Sequence, residues 1–271
     1  MESLFGFEGK HILVLGGGRG MGEATSRLLA RLGCAVAIAD MSLERAERVS
    51  SDIHDSGGKA VSICVDVTND DDLITAIERA DKTLGPLNGM ATVIGMAHWA
   101  PILESSIGDW DADHRRNLRY FYLAAREVAR SLLARKAAGS IVCVASVDGI
   151  HSSPNHAAYG AAKAGLINLV KSMAGEWSGR GIRVNCVAPG PIVTPRLPLT
   201  DERKERESLA LIPMQRRGTV QDIANAVAFF LSDLTPFITG QTLAVDGGYG
   251  AAVPLLIRET ELRGVQGADL K

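Results

Sequence analysis

Short apolar runs alternate with longer amphipathic segments along most of the chain, and this alternation constrains the fold more than any other feature. The apolar runs are rich in Ile, Val and Ala with little alternation of polar residues, which is typical of parallel strands covered on both faces. We predict strands at His11–Leu15, Ala35–Asp40, Ala60–Asp66, Gly89–Ile94, Ser140–Ala145, Ile182–Ala188 and Thr242–Val245. We predict helices at Met21–Leu32, Leu43–Ser56, Asp70–Leu84, Asp109–Lys136, Ala157–Ser178 and Val220–Leu231. Such alternation indicates an α/β fold, doubly wound, with a seven-stranded parallel sheet and helices on both faces.

Length and composition narrow the class of protein. The 271 residues suit a single domain, and a formal net charge of −2 gives no reason to expect a nucleic-acid partner. No apolar run approaches the ~18 residues that span a bilayer, and residues 1–10 do not resemble a signal peptide, so we expect a cytoplasmic protein with no membrane partner. No cysteine or histidine cluster has metal-ligand spacing, so we expect no metal. Buried, reduced thiols are expected at Cys34, Cys64, Cys143 and Cys186.

A glycine-rich loop, Gly16-Gly17-Gly18-Arg19-Gly20-Met21-Gly22, joins the first predicted strand to the first predicted helix. Glycines at this junction let the backbone approach a pyrophosphate, and the helix N-terminus presents free N–H groups to it. The second strand ends at Asp40, 18 residues after Gly22. A carboxylate there can accept hydrogen bonds from both adenine-ribose hydroxyls and repels a 2′-phosphate; the alternative is a simple helix cap. Met41 follows it, so NAD is favoured over NADP, although Arg19 offers a cation that can reach a 2′-phosphate.

Tyr159 and Lys163 are four residues apart in a predicted helix, so their side chains share one face. An ammonium beside a phenol favours the phenolate and lowers the tyrosine pKa, which makes the tyrosine a usable general acid/base. Ser146 closes the preceding predicted strand, 13 residues before Tyr159. These three residues therefore predict a proton-transfer site next to the nucleotide site.

In these motifs the chain resembles the short-chain dehydrogenase/reductase family from Gly9 to Tyr249. The glycine loop matches that family's G-x-x-x-G-x-G at Gly16, Gly20 and Gly22. The other matching segments are Asp66-Val67, Asn117-Leu118, Ser146, Tyr159, Lys163, Pro189-Gly190 with Thr194, Gly240-Gln241 and Val245-Asp246-Gly247-Gly248.

The resemblance implies a Rossmann fold and four catalytic residues. By that resemblance Tyr159 exchanges the proton and Ser146 binds the substrate oxygen. Lys163 would bind the nicotinamide ribose and lower the Tyr159 pKa, and Asn117 would position a water that relays protons to Lys163. Family members of this type transfer the pro-S hydride. The implied cofactor-binding residues are Gly16, Gly18, Arg19, Gly20, Met21, Gly22, Asp40, Asp66, Val67, Gly95, Tyr159, Lys163, Pro189, Gly190, Ile192 and Thr194.

Two positions depart from the family pattern. Leu15 stands where the family usually has Thr, which removes a hydroxyl that ties the glycine loop to the sheet. The segment Thr92-Val93-Ile94-Gly95 replaces the family's N-N-A-G, whose first Asn bonds within the central sheet. Both departures concern the scaffold beside the cofactor rather than the reaction.

The function expected is hydride transfer between NAD(H) and a secondary alcohol or its ketone. An NADP-dependent ketoacyl-type reductase and a catalytically silent nucleotide-binding protein are the alternatives; the second normally lacks the Tyr or Lys that this chain keeps. The segment 189–214 is expected to form a substrate lid. Its apolar residues favour a hydrophobic alicyclic, aromatic or steroid-like substrate: Ile192, Val193, Leu197, Leu199, Leu209, Leu211, Ile212 and Met214. We expect His98, Trp99, His151 and His156 to line the pocket or the surface, and Asp148, Gly149 and His151 to shape the substrate site.

The resemblance also implies self-association as a homo-oligomer, a tetramer or a dimer. One two-fold interface would pair Asp109–Lys136 and Ala157–Ser178, and a second would involve Val220–Leu231 and Thr242–Val245. Candidate interface residues in the first pair are Ala124, Ala125, Ala129, Leu132, Leu133, Leu166, Leu169 and Met173. The extension 251–271 carries the apolar segment Val253-Pro254-Leu255-Leu256-Ile257, which we expect to dock on a neighbouring subunit.

Overall fold

The computed structural model describes residues 4–198, 205–206 and 209–251. In this part of the chain seven strands form one parallel sheet in the order β3-β2-β1-β4-β5-β6-β7. The strands are β1 (His11–Leu15), β2 (Ala35–Asp40), β3 (Lys59–Cys64), β4 (Gly89–Thr92), β5 (Gly139–Val144), β6 (Ile182–Pro189) and β7 (Thr242–Val245). The predicted α/β, doubly wound, Rossmann-type architecture is confirmed.

The helices are α1 (Gly20–Arg31), α2 (Leu43–Asp55), α3 (Asp70–Leu84), α4 (Ile107–His114), α5 (Tyr120–Ala134), α6 (Ala157–Trp177) and α7 (Val220–Leu231). They cover both faces of the sheet and create two hydrophobic cores. One core packs α3, α5 and α6 on residues such as Leu13 and Leu15. The other packs α1, α2 and α7 on residues such as Ile12 and Val14. Successive residues of β1 thus face opposite cores, which explains its uninterrupted apolar sequence.

The order of the strands reverses at β1 and β4, which are neighbours in the sheet. The chain leaves β1 toward β2, whereas it leaves β4 toward β5, so the connections after these two strands diverge. Such a divergence opens a crevice at the carboxyl ends of the strands, where α/β sheets bind their ligands.

Two predicted strands end earlier than expected. The strand predicted as Ala60–Asp66 ends at Cys64, and the one predicted as Gly89–Ile94 ends at Thr92. Asp66 accepts hydrogen bonds from the backbone N–H (2.9 Å) and the hydroxyl (2.7 Å) of Thr68, so the chain turns there toward α3. The residues after both strands line the crevice instead of continuing the sheet.

Two other predictions are wrong in part. Cys64 is exposed, whereas Cys34, Cys143 and Cys186 are buried.

Most of the residues suggested for the first subunit interface pack in the core instead, because these sides of α5 and α6 face the sheet. They are Ala124, Ala125, Ala129, Leu132, Leu166 and Met173. Leu133 and Leu169 are only partly buried and remain available to an interface.

Among the described residues no helix combines the length and the apolar character needed to cross a membrane. In the same residues no group of three or more His, Cys, Asp or Glu side chains is placed to hold a metal ion. Leu199 of the expected lid and positions 252–271 of the expected extension lie outside the described residues.

Candidate active site

Two adjoining cavities occupy the carboxyl ends of the strands. The first, about 390 Å³, runs from the glycine loop past Asp40 to Asp66 and Val67. The second, about 450 Å³, is lined by Ser146, Tyr159 and the segment after β6. The residues common to both are Met21, Gly95, Met96, Thr194 and Arg196. Most of the predicted nucleotide and proton-transfer residues therefore line one continuous cleft, whereas Gly18, Asn117 and Lys163 line neither cavity.

The glycine loop is closed by backbone contacts that exclude side chains. Gly22 lies so close to the preceding turn that a Cβ there would be 1.9 Å from the Gly16 carbonyl oxygen. Gly20, the first residue of α1, has φ +60°, which favours glycine. The N–H groups of Gly16 and Gly17 donate to the Ala39 carbonyl at 2.8 and 3.1 Å, so the loop is tied to β2 despite Leu15. This cradle at a helix N-terminus fits a pyrophosphate.

Asp40 is buried at the end of β2 and is surrounded by donors. One carboxylate oxygen accepts from the Gly18 N–H at 3.0 Å. The other accepts from the Ser42 N–H at 3.0 Å and from Arg45, whose Nε and Nη2 lie at 3.1 and 2.6 Å. Arg45 lines the first cavity, and the sequence analysis missed it. The sequence feature that could have revealed Arg45 is Ser42. It caps α2 and so places Arg45 in the first turn of that helix, facing back toward Asp40.

Tyr159 lies partly buried on the first turn of α6 and lines the second cavity together with Ser146. Burial raises the pKa of Tyr159 to about 12; the Ser146 contact opposes this, whereas the charges of Asp148 and Asp113 add to it. The predicted lowering of the tyrosine pKa is not found, since the pKa of Tyr159 lies above its ordinary value, and Lys163 is not among the causes of the shift. The Lys163 Nζ lies 5.5 Å from the centre of the Tyr159 ring, so the two side chains do share a helix face.

Lys163 is held by two backbone carbonyls. Its Nζ donates to the carbonyls of Ile94 (3.0 Å) and Val144 (2.9 Å), at the ends of β4 and β5. The side chain is 1% exposed, and burial lowers the pKa of Lys163 to about 8. Gly95, which lines both cavities, lies next to it, since a Cβ at Gly95 would be in van der Waals contact with Nζ at 3.5 Å.

Asn117 lies in a π-helical turn, Arg115–Arg119, that interrupts the helix predicted as Asp109–Lys136. Its Nδ2 donates to the carbonyls of Met96 (2.8 Å) and Asp113 (2.9 Å), and its Oδ1 accepts from the Met96 N–H at 3.2 Å. The wider turn frees the Asp113 carbonyl for this contact, as π-turns at functional sites commonly do. Asn117 is fully buried. It lies beside Gly95, and because Lys163 also lies beside Gly95, the two side chains are near each other.

Thr92 occupies the other position at which the chain departs from the family pattern. It is fully buried, and its hydroxyl accepts a 3.3 Å hydrogen bond from Tyr120. This contact links β4 to α5, whereas the Asn of the family pattern bonds within the central sheet.

The segment after β6 forms the outer wall of the second cavity. Pro189, Gly190, Ile192 and Thr194 all line it. The Thr194 Oγ1 accepts from the Leu197 N–H at 3.1 Å, and the Ile192 carbonyl accepts from Arg217 at 2.8 Å. Arg217 was missed by sequence reasoning because it lies 25 residues away in the chain.

The four aromatic residues suggested near the pocket separate into two groups. Trp99 and His156 line the second cavity, with Asp148 beside them. His98 lies 3.7 Å from Asp109 and does not line that cavity, and His151 is exposed.

Comparison with known proteins agrees with this geometry. Residues 16–250 match the family model described as enoyl-(acyl carrier protein) reductase. The chain is 36% identical to 2-(S)-hydroxypropyl-CoM dehydrogenase 3 of Xanthobacter autotrophicus, over 89% of this chain and 96% of that protein. It is 37% identical to cyclohexanol dehydrogenase of Acinetobacter sp., over 90% and 96%. It is 33% identical to the 3-oxoacyl-[acyl-carrier-protein] reductase FabG of Thermotoga maritima, over 89% and 98%.

The fold has close counterparts among solved structures. A candidate gluconate dehydrogenase from Agrobacterium tumefaciens superposes with a TM-score of 0.87 at 26% identity, over 91% of this chain and 98% of that chain. The matched region includes the glycine loop, Ser146, Tyr159 and Lys163. The chain therefore belongs to the short-chain dehydrogenase/reductase family of oxidoreductases.

Proposed function

We propose that this protein is an NAD-dependent dehydrogenase that interconverts a secondary alcohol and its ketone. The observation that carries the proposal is the single cleft, in which Ser146 and Tyr159 line one cavity and the glycine loop and Asp40 line the other. This arrangement supports a nicotinamide held where the two cavities meet, at Gly95 and Thr194. The cofactor would supply the hydride chemistry. The residues of the chain would bind the cofactor and the substrate and would transfer the proton.

In this proposal Tyr159 exchanges a proton with the substrate oxygen. Ser146 and Tyr159 line the same cavity and interact closely enough for Ser146 to lower the Tyr159 pKa, so a substrate oxygen between them would lie within reach of both hydroxyls. Lys163 stabilises a phenolate through its charge when ionised, and its contacts with two strand-end carbonyls fix its position. Asn117 holds the backbone of Met96, next to Gly95, and keeps a polar path open toward Lys163.

The preference for NAD rests on Asp40 and on the partners of the nearby arginines. A carboxylate at this position favours two free ribose hydroxyls over a 2′-phosphate. Arg45 is paired with Asp40, and Arg19 donates to the Pro195 carbonyl at 3.1 Å. Both cations that line the adenosine end therefore have partners within the protein. NADP binding would require at least one of them to leave its partner.

The wall of the second cavity supports a compact, largely hydrophobic substrate. Apolar side chains predominate in it: Met21, Met96, Ala97, Trp99, Val147, Pro191, Ile192, Leu197 and Tyr249. An alicyclic, aromatic or steroid-like secondary alcohol fits this chemistry, and the similarity to a cyclohexanol dehydrogenase agrees with it. The second candidate is an NADP-dependent ketoacyl reductase, favoured by the similarity to a 3-oxoacyl-[acyl-carrier-protein] reductase.

We propose a homo-oligomer for this protein. Exposed apolar side chains around α7 and β7 support one interface: Phe229, Leu234, Phe237 and Leu243. Phe237 is 100% exposed in the single chain, an unusual state for a side chain of this size. Sedimentation at micromolar concentration tests assembly, and a species near 28.7 kDa would contradict it.

A substrate screen tests the activity. Absorbance of the reduced nicotinamide is followed with a panel of secondary alcohols and NAD or NADP, then in reverse with the ketones and 3-oxoacyl thioesters. Faster turnover of simple alcohols with NAD supports the first proposal. Faster turnover of 3-oxoacyl thioesters with NADPH replaces it with the second. No turnover with any pair contradicts both and leaves a silent nucleotide-binding protein.

A further inference from the structure

His156 lies immediately before α6 at the wall of the second cavity, with its ring between Trp99 and Tyr159. The ring centres lie 3.4 Å from Trp99 and 5.2 Å from Tyr159. His156 Nδ1 is 2.6 Å from one carboxylate oxygen of Asp148, whose other oxygen accepts a 2.5 Å hydrogen bond from Ser153. The histidine is 8% exposed, so the surrounding side chains hold it in one orientation.

This pairing leaves one ring nitrogen unused. A carboxylate only accepts hydrogen bonds, so the Nδ1 of His156 carries the proton toward Asp148 and the Nε2 of the neutral ring is an acceptor. Nε2 is buried and has no hydrogen-bond partner among the described residues. A buried polar atom without a partner costs on the order of 1–3 kcal/mol. A residue that lines the cavity of the proton-transfer tyrosine therefore carries a fixed acceptor atom that no described residue satisfies.

The hydrogen-bonding capacity of the ring indicates which group suits it. The charge around the cavity is mixed, because Arg196 lines it together with Asp148. An ionised carboxylate has no proton to donate to an acceptor nitrogen, whereas a hydroxyl is a neutral donor that suits one. Trp99 packs on the histidine ring and is itself 65% exposed, and the inference requires this side chain to move so that a ligand reaches Nε2.

We propose that His156 is a substrate-binding residue whose Nε2 accepts a hydrogen bond from a second hydroxyl of the substrate, close to the reacting carbon. Asp148 is its positioning residue, because it fixes the tautomer. The preferred substrates are then diols and hydroxy ketones rather than alcohols with a single oxygen. This inference rests on the proposed dehydrogenase function and narrows its substrate class.

Matched alcohols test the inference. The ratio of kcat/KM is measured for 1,2-cyclohexanediol against cyclohexanol, and for 2,3-butanediol against 2-butanol. Wild type is expected to prefer the diol in at least one pair, and His156→Phe to reduce that preference about tenfold, since a site built to bond a hydroxyl discriminates against its absence. His156→Gln keeps an acceptor oxygen and is expected to restore part of the preference. His114→Phe is the matched control, because His114 lies against Trp110 (ring centres 4.3 Å) outside the cavity.

Each outcome has one meaning. An unchanged diol preference in His156→Phe, or no diol preference in wild type, overturns the inference while leaving the dehydrogenase proposal intact. No turnover of any of the four alcohols, nor of other secondary alcohols, with either nucleotide overturns the dehydrogenase proposal and this inference with it. NADH binding reports whether each variant is folded. If His156→Phe fails that measurement, His156→Ala, which also lacks an acceptor, decides: a diol preference equal to that of His114→Phe overturns the role, and a reduced preference supports it.

Discussion

At the adenosine end of the cleft a buried carboxylate is paired with an arginine. At the catalytic end a buried lysine has only backbone carbonyls as partners among the described residues. Asp40 accepts from two backbone N–H groups and from Arg45, which remains about one-third exposed. Lys163, by contrast, is fully buried, and no carboxylate bonds its ammonium in the described residues. Tyr159 is buried near two carboxylates that disfavour its ionised form.

The difference separates binding from chemistry. A carboxylate held by four donors is fixed in position, which suits recognition of a fixed pair of hydroxyls. A lysine with a pKa near 8 and a tyrosine with a pKa near 12 are both displaced from their ordinary values by desolvation. Strongly displaced pKa values at the floor and wall of a cleft are typical of proton-transfer sites. Substitutions at the two ends should therefore give different kinds of effect.

The largest effect is expected at the catalytic end, from Tyr159→Phe. The change removes the hydroxyl and keeps the buried ring, so turnover should fall about 10²–10⁴-fold while the Kd for NADH stays within about threefold. Steady-state kinetics and fluorescence titration measure the two quantities. Tyr122→Phe is the control, since Tyr122 lies half-exposed on α5 outside both cavities. Turnover within tenfold of wild type in Tyr159→Phe would contradict the assignment.

The next effect concerns the pH dependence of stability and also arises at the catalytic end. The folded-state pKa of Lys163, about 8, is below the ordinary 10.5, so the folded protein binds fewer protons between these values than the unfolded chain. Stability is therefore full above pH 10.5 and is lost as the pH falls toward 8. Relative to Lys163→Met, wild type should lose about 3 kcal/mol of unfolding free energy across this window.

Urea unfolding of wild type and Lys163→Met at several pH values measures this difference. Comparing the two proteins cancels the other groups that titrate in the same window. Lys171→Met supplies the control, because Lys171 is an exposed lysine of the same helix. A constant difference in stability between wild type and Lys163→Met from pH 8 to 10.5 would show that burial does not displace the lysine.

At the adenosine end Asp40→Ala should weaken NAD binding about tenfold and NADP binding much less. The substitution removes the acceptor for the ribose hydroxyls and frees Arg45 to face a 2′-phosphate. Calorimetric Kd values for both nucleotides give the ratio, and turnover at saturating nucleotide should change little. Arg45→Ala tests the other member of the ion pair. This variant keeps Asp40 and should therefore still bind NAD more tightly than NADP. Tighter binding of NADP than of NAD by wild type would overturn the cofactor assignment.

Many of the features that distinguish the two ends of the cleft could be predicted from the sequence. The sheet, the glycine loop, Asp40 and the Tyr159–Lys163 pair depend on local periodicity and on spacing within one element, which a single chain displays directly. The direction of the Tyr159 pKa was not accessible, since it depends on burial and on Asp113, which lies 46 residues away in the sequence. The Asp40–Arg45 ion pair depends on how α2 packs against the end of β2, which no periodicity encodes.

The π-helical turn at Asn117 shows the same limit at a smaller scale. The sequence predicted one continuous helix, because a single inserted residue hardly disturbs the apolar pattern of Asp109–Lys136. The insertion depends instead on the contacts of Asn117 with Met96 and Asp113, and Met96 lies 21 residues away. Features that were predicted thus lie within elements, and those that were missed lie between them.

The smallest effect should come from Asp148→Asn, which changes the charge near Tyr159 and keeps the size of a side chain in the wall of the second cavity. Alcohol oxidation requires the Tyr159 phenolate, so its rate should rise with pH through the tyrosine ionisation. Asp148 raises the pKa of Tyr159, and removing its negative charge must lower that pKa. The midpoint of the rate–pH profile should therefore move to lower pH, by on the order of half a unit.

Asp109→Asn is the matched control for this charge. Asp109 is a carboxylate paired with His98 outside the second cavity, and it does not contribute to the Tyr159 pKa. Profiles of kcat with saturating NAD should coincide for wild type and Asp109→Asn. The positively charged nicotinamide ring of NAD should bring every midpoint below the Tyr159 pKa of about 12. A shift to higher pH in Asp148→Asn would mean that another group, rather than the Tyr159 phenolate, accepts the proton.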